Sequence, residues 1–343
     1  MAFIYGRNWS RQELTRYIGQ MDQLAGIRLM EGADGTERGA RSLHVWTGSG
    51  LCFKVVADRA LDITACHYKD VSLAWASPVG EPHPAFFEAK GLEWLRTFPG
   101  GLLATCGLDH YGPPCQDSGA DFGLHGRIGN LPARCVNYQA GWVGNEYEMV
   151  ISGEVRQTKV FGENLVMRRR LSTRLGSNRI LIEDAITNEG FSLQPHMVLY
   201  HINLGFPLVS EHTRLKVATL QTLPRDAEAE KGLESWNQFQ PPTPDYREQV
   251  FIHTPAAEAN DQAKVEVENP SMSLGLRLTF DKTALPYLVE WKMMGEGIYV
   301  LGIEPANCPI IGGRAAAREQ GGLPQLAPGE TRHYCMELEV YPL

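Results

Sequence analysis

The sequence predicts a mostly β, antiparallel fold with a few short helices. Three observations carry that expectation. Short runs alternate apolar and polar side chains, as in Tyr147 to Val155, Leu165 to Leu175 and Arg179 to Asn188. Turn-forming residues separate such runs, among them Gly48-Ser49-Gly50 and Gly176-Ser177-Asn178. Helical spacing is confined to a single stretch near the start of the chain.

That stretch begins at Ser10-Arg11-Gln12-Glu13, a capping box in which Ser10 and Glu13 can each satisfy the other's backbone N–H. Leu14, Tyr17, Ile18, Met21 and Leu24 then recur at helical spacing, which predicts a helix over about 11–23 packed on the outside. Ser42 to Thr47 and Leu51 to Ala57 read as a hairpin. Ala85 to Phe98 reads as a short helix or a helical turn, stopped by Pro99-Gly100-Gly101, and Leu102 to Leu108 as a buried strand. Residues 222–248, with Pro224, Pro241, Pro242 and Pro244, read as a surface insertion or lid, because strands resume after it. Further strands are expected at Lys264 to Val267, Leu274 to Phe280, Pro286 to Met293 and Arg332 to Tyr341. The whole of 1–343 is expected to form one β-sandwich domain.

Composition narrows the function classes. Hydrophobic residues make up 43% and charged ones 21%, an ordinary globular balance with enough apolar mass for a large core. Lys and Arg number 32 against 40 Asp and Glu, for a net charge of -8 without a basic block, which argues against nucleic acid or an anionic membrane as partner. Seven cysteines, none in CxxC spacing, argue for reduced thiols and a cytoplasmic location. No apolar run is long enough to span a bilayer, and Met1 to Trp9 has no apolar secretory core.

Three stretches carry chemistry. In Leu124-His125-Gly126-Arg127-Ile128, an extended backbone would put His125 and Arg127 on one face, with Gly126 leaving room for a ligand; the stretch reads equally as a β-turn followed by a strand with two exposed polar residues. In His196-Met197-Val198-Leu199-Tyr200-His201-Ile202-Asn203, a strand puts His196 and His201 on opposite faces and His201 with Asn203 on the same one. In Gly297 to Asn307, an apolar strand delivers Glu304 at its end, with Pro305 expected to close it. Such a carboxylate is costly unless it is paired, and Arg314 or Arg318 could pair with it. Unpaired, it is suited to general-base work. Arg59, between Asp58 and Asp62, reads either as a structural ion pair with one of them or as a guanidinium held near a ligand. The Arg168-Arg169-Arg170 triplet reads as a solvated strand face. There is no GxGxxG, P-loop, HExxH or GxSxG motif.

In this order, Leu124-His125-Gly126-Arg127, Tyr200-His201-Ile202-Asn203-Leu204-Gly205 and Ile303-Glu304-Pro305 with Asn307 resemble the aldose 1-epimerases (galactose mutarotases). With Asp58-Arg59-Ala60-Leu61-Asp62-Ile63 added, they more closely resemble an uncharacterised bacterial branch beside that family, over roughly residues 25–341. The resemblance implies a galactose mutarotase-like antiparallel β supersandwich with the sugar in an open groove. It implies Glu304 as base, His201 as acid with His196 as the alternative, and His125 as a substrate-binding group. It places Arg59, Asp109 and Asn203, with Arg127 and His196, among further candidates for holding substrate. The implied reaction interconverts anomers of a free sugar or sugar acid by acid–base ring opening, with a small-molecule carbohydrate as partner and no cofactor or metal. A homodimer is left open. Two other functions stand beside it: a non-catalytic carbohydrate-binding or sensor protein on the same scaffold, and a metal-dependent isomerase or lyase using some of His125, His196, His201 and Glu304.

Overall fold

The structure is a computed structural model that describes residues 2–309 and 312–343. Three antiparallel sheets make up the bulk of it. An eight-stranded sheet runs, in spatial order, through 134–143, 146–158, 164–174, 179–188, 331–342, 274–281, 262–269 and 214–217. A five-stranded sheet is built from 26–31, 41–46, 51–56, 62–68 and 71–72. The six-stranded sheet holds the chemistry. Its strands in chain order are β1 (Ala104–Leu108), β2 (Met197–Gly205), β3 (Thr219–Pro224), β4 (Gln249–Pro255), β5 (Tyr287–Met294) and β6 (Tyr299–Ala306). Their spatial order is β3-β4-β5-β6-β2-β1. The expected mostly β architecture is therefore the observed one.

Side-chain alternation divides the two faces of this sheet. Val198, Tyr200, Ile202 and Leu204 of β2, with Leu301 and Ile303 of β6, enter the large core shared with the other two sheets. Met197 and Leu199 of β2, Val300 of β6, Val289 of β5 and Val250 and Ile252 of β4 belong to a separate cluster on the opposite face, with Trp75, Trp94 and Phe98. A period of two thus sends His201 and Glu304 away from the main core.

One buried guanidinium links all three sheets. Arg169, 1% exposed, bonds to Asp184 of its own sheet at 2.7 and 2.9 Å, to Asp62 of the five-stranded sheet at 2.7 Å and to the Thr105 hydroxyl of β1 at 2.9 Å. Tyr200 of β2 donates to the same Asp184 at 2.8 Å. The solvated reading of the triplet is thus corrected at its centre. Arg168 and Arg170 lie on the outer face, paired with Glu154, Glu189 and Glu183, while the alternation turns Arg169 inward.

Two other expectations change. The helix over 11–23 is a four-residue helix, Arg11–Leu14, followed by a 3-10 turn at Met21–Gln23. The capping box forms as expected, but of the apolar stripe Leu14 alone is fully buried while Tyr17 is 75% exposed, so the middle of the stripe has no packing to sustain further turns. Pro305 does not end β6, which continues to Ala306 with Pro305 opposite Leu288. The insertion carries a short helix, Ala227–Glu230, and a 3-10 turn, Leu233–Ser235. No helix among the described residues is long and apolar enough to cross a membrane. All seven cysteines are free thiols in the structure.

Candidate active site

The register between β2 and β6 builds the centre of the site. Leu199 lies opposite Ala306 and Ile202 opposite Ile303, so His201 falls opposite Glu304 on the outward face. The His201 Nε2 atom is 3.2 Å from Glu304 Oε1. Gly302, two residues before Glu304 on the same face, keeps the way clear, since a Cβ there would strike the Glu304 carboxylate.

His125 arrives from outside the sheet. Segment 123–127 docks on the edge strand β1, where Gly107 N–H donates to the His125 carbonyl and Arg127 N–H to the Gly107 carbonyl, both at 3.1 Å. His125 N–H donates to Gly112 at 3.0 Å. The segment takes the turn reading and not the extended one: His125 has φ 57° and Gly126 φ 73°. His tolerates the left-handed region better than most residues, and the three backbone bonds hold it there. The turn separates the two side chains that a strand would have kept together. The His125 ring sits 5.6 Å from the His201 ring, edge to face, whereas Arg127 is exposed in a different hollow.

Aromatic rings enclose the imidazoles. Trp94 lies 4.8 Å from His125, and Phe98 and Trp291 lie 5.2 and 5.4 Å from His201. Together these groups line a cavity of about 560 Å³. The ends of the 222–248 insertion close one side of it. Arg225 pairs with Glu248 at 2.9 Å and with Asp226 at 2.8 Å, and Trp291 Nε1 donates to Glu248 at 2.8 Å.

Burial sets the protonation of the central pair. Glu304 is held well above the usual carboxylate range by burial, reinforced by the Glu248 charge and opposed by Arg225. Burial pushes His201 down to about 3, with the Asn203 side chain opposing it. His125 is also lowered, by burial first and then by His201, His110 and Arg225. Both shifts run the same way: burial favours the uncharged form of each partner, a protonated carboxyl and a neutral imidazole. His125 Nδ1, His201 Nδ1 and Glu304 Oε1 are all buried without a hydrogen-bond partner among the described residues. Unpaired buried polar atoms are costly, and three of them around one hollow mark a place for a polar ligand.

A model of the family described as a domain of unknown function (DUF4432) matches residues 37–340. The chain belongs to that family. Among solved structures it is similar to a Klebsiella pneumoniae protein described as a candidate aldose 1-epimerase, at 28% identity and a TM-score of 0.87, with 93% of this chain and 86% of that one covered. It is also similar to a galactose mutarotase-like protein from Clostridium acetobutylicum (14% identity, TM-score 0.63, 94% and 100% covered). A galactose 1-epimerase from Lactobacillus acidophilus gives 12% identity and a TM-score of 0.59, with 93% and 99% covered. No curated protein matches. The DUF4432 chain thus has the mutarotase-like supersandwich fold that its motifs resemble.

Of the eight candidate residues read from sequence, the cavity brings together Glu304, His201 and His125. The other five lie elsewhere. His196 is fully buried on the opposite face, bonded to the Leu108 carbonyl at 3.0 Å and the Tyr334 hydroxyl at 2.7 Å, so of the two histidines His201 is the one that lines the cavity. Asn203, beside His201 on the same strand face, is fully buried and bonds to the Gly101 and His201 carbonyls at 3.1 and 3.0 Å, outside the cavity lining. Arg59 fits neither reading. Asp58 pairs with Arg41 and Asp62 with Arg169, while Arg59 donates to the carbonyls of Pro82 and Thr97 at 3.0 and 2.7 Å. Asp109 and Arg127 line a second hollow of about 540 Å³. There Arg314 pairs with Asp109 and Asp117, and Arg318 with Asp117, so neither arginine serves Glu304. Among the described residues no three His, Cys, Asp or Glu side chains gather at metal-binding spacing. Sequence reading missed Trp94, Phe98, Trp291, Arg225 and Glu248. The alternation of β5 was a usable signal, since Val289 and Trp291 share a face.

Proposed function

We propose that this protein binds a free sugar in the cavity and interconverts its anomers by ring opening, with Glu304 and His201 as the proton-exchanging pair. The observation that carries the reading is their cross-strand apposition at 3.2 Å on the floor of a hollow with unsatisfied polar atoms. The ring oxygen and the anomeric hydroxyl are bonded to one carbon, so two adjacent groups can reach both. Glu304 gives its proton to the ring oxygen while His201 takes the proton of the anomeric hydroxyl. The bond from the anomeric carbon to the ring oxygen breaks and leaves an open-chain carbonyl. Rotation about C1–C2 and closure with the proton transfers reversed give the other anomer. The sequence-based assignment of Glu304 as base and His201 as acid describes the same one-proton pair with the proton on the other partner, and closure passes through the same groups in reverse. His125, whose ring abuts His201, binds a substrate oxygen.

The same fold without chemistry would give a sugar-binding protein. The acid–base pair is the feature that favours catalysis over it, because binding alone does not call for two coupled proton carriers at one carbon. The test is an anomer-exchange screen by saturation-transfer NMR over aldoses, ketoses and uronic acids. We expect at least one sugar to exchange faster, and Glu304→Gln to slow it by about a hundredfold or more. Equal exchange by the variant and the unaltered protein would overturn the assignment, and binding without exchange would favour the sensor reading.

A further inference from the structure

Resting on the carbohydrate reading above, we propose that the ligand is a sugar with an apolar edge remote from its anomeric carbon, as in a 6-deoxyhexose, which carries a methyl where the parent hexose has a hydroxymethyl. The cavity is divided chemically. Three of its lining residues, His125, His201 and Glu304, carry buried polar atoms without partners, and His201 and Glu304 are 5% and 1% exposed, which puts them at the inner end. A ligand with its anomeric carbon there extends its remaining carbons towards the mouth.

The mouth has two kinds of surface. One is ionic, formed by Arg225, Asp226 and Glu248, whose side chains are 32%, 39% and 46% exposed. The other is apolar: Leu92 and Leu95 line the cavity and are 58% and 49% exposed, with Pro113, Pro114 and Leu124 on the same lining. A hydroxyl laid against the leucines would leave water without gaining a partner, which lowers affinity by about tenfold or more. A methyl in that place covers apolar surface and gains about fourfold. Residues that sequence alone suggested as holders of hydroxyls do not compensate, since Arg59, Asn203 and Asp109 all lie outside the cavity. A sugar acid fits less well. Arg127 faces the other hollow, and the Arg225 charge is already met by two carboxylates. A ligand with one hydroxylated edge and one apolar edge matches both surfaces.

The experiment uses the full chain and three matched pairs: D-fucose with D-galactose, L-fucose with L-galactose, and L-rhamnose with L-mannose. Anomer exchange and ligand-observed saturation transfer are read for each member, with Glu304→Gln as the catalytic control. In at least one pair the 6-deoxy member is expected to show about tenfold or more greater kcat/KM than its parent, through KM, and Leu95→Asn is expected to cut that preference to about threefold or less. Exchange that is catalysed but equal within every pair, or faster for the parent hexose, overturns this inference and leaves the anomer-exchange reading standing. Saturation transfer favouring the 6-deoxy member without catalysed exchange overturns the chemistry and supports the apolar-edge ligand. Saturation transfer from no member of any pair overturns the apolar-edge ligand too.

Discussion

His201 and Glu304 face each other across two strands, so their titration belongs to the pair and not to either residue. Burial lowers His201 to about 3 and raises Glu304 well above its ordinary range, which leaves the single-proton state populated across the whole interval between them. Acidification adds a proton to His201 and removes the acceptor. Alkalinisation takes the proton from Glu304 and removes the donor. The expected profile of kcat/KM therefore has its acid limb near the His201 value of about 3 and its alkaline limb above the ordinary carboxylate range. An acid limb near the ordinary histidine range would contradict the burial of His201. In Glu304→Gln the residual rate should lose the alkaline limb. The sequence already contained both members of this pair, His201 by its parity against His196 and Glu304 by its place after an apolar run. It did not contain the pairing partner, because register between strands about a hundred residues apart is set by the whole sheet.

Segment 123–127 shows where local pattern stops being informative. Gly123 and Gly126 bracket His125, and in sequence they read equally as room for a ligand or as a turn. What decides is a non-local contact, the bridge from Gly126 to Gly107 on β1, which a one-dimensional pattern cannot show. The same contact gives Gly126 its necessity. At φ 73° a Cβ would be strained, and it would also fall on the carbonyl oxygens of His110 and Gly107. Gly126→Ala should push the turn off the strand edge and carry His125 out of the cavity. We expect a loss of about 1–3 kcal/mol in stability, read by urea denaturation. We also expect weaker sugar binding in saturation transfer, while the Glu304–His201 contact within the sheet is retained. Unchanged binding together with lowered stability would show that the turn is structural only. The N-terminal segment fails in the opposite sense: its cap was legible and formed, but periodicity without a surface to pack on did not give a longer helix.

At the scale of the molecule, the cavity floor is only as rigid as the attachment of the six-stranded sheet to the other two. Apolar contacts do most of that, and alternation made them readable strand by strand. The polar connection through Arg169 was not readable, because an Arg triplet on a strand looks the same whether its middle member faces water or a carboxylate from another sheet. In the fold Arg169 meets Asp184, Asp62 and Thr105, one group from each of the three sheets, and Tyr200 joins through Asp184. Tyr200 immediately precedes His201, and Thr105 pairs with Tyr200 across β1 and β2, so this network lies directly beneath the site. Arg169→Met keeps volume but leaves two buried carboxylates without their cation, which should cost about 3–5 kcal/mol in urea denaturation. Adding Asp184→Leu removes one uncompensated charge. The double variant should then regain part of the loss, because a buried ion pair replaced as a unit costs far less than one that is broken. If the single variant is as stable as the unaltered protein, the sheets are held by apolar packing alone. If the double variant is no better than the single, the loss comes from the Arg169 contacts to Asp62 and β1, and anomer exchange should then fall with stability, since β1 pairs with the strand that carries His201.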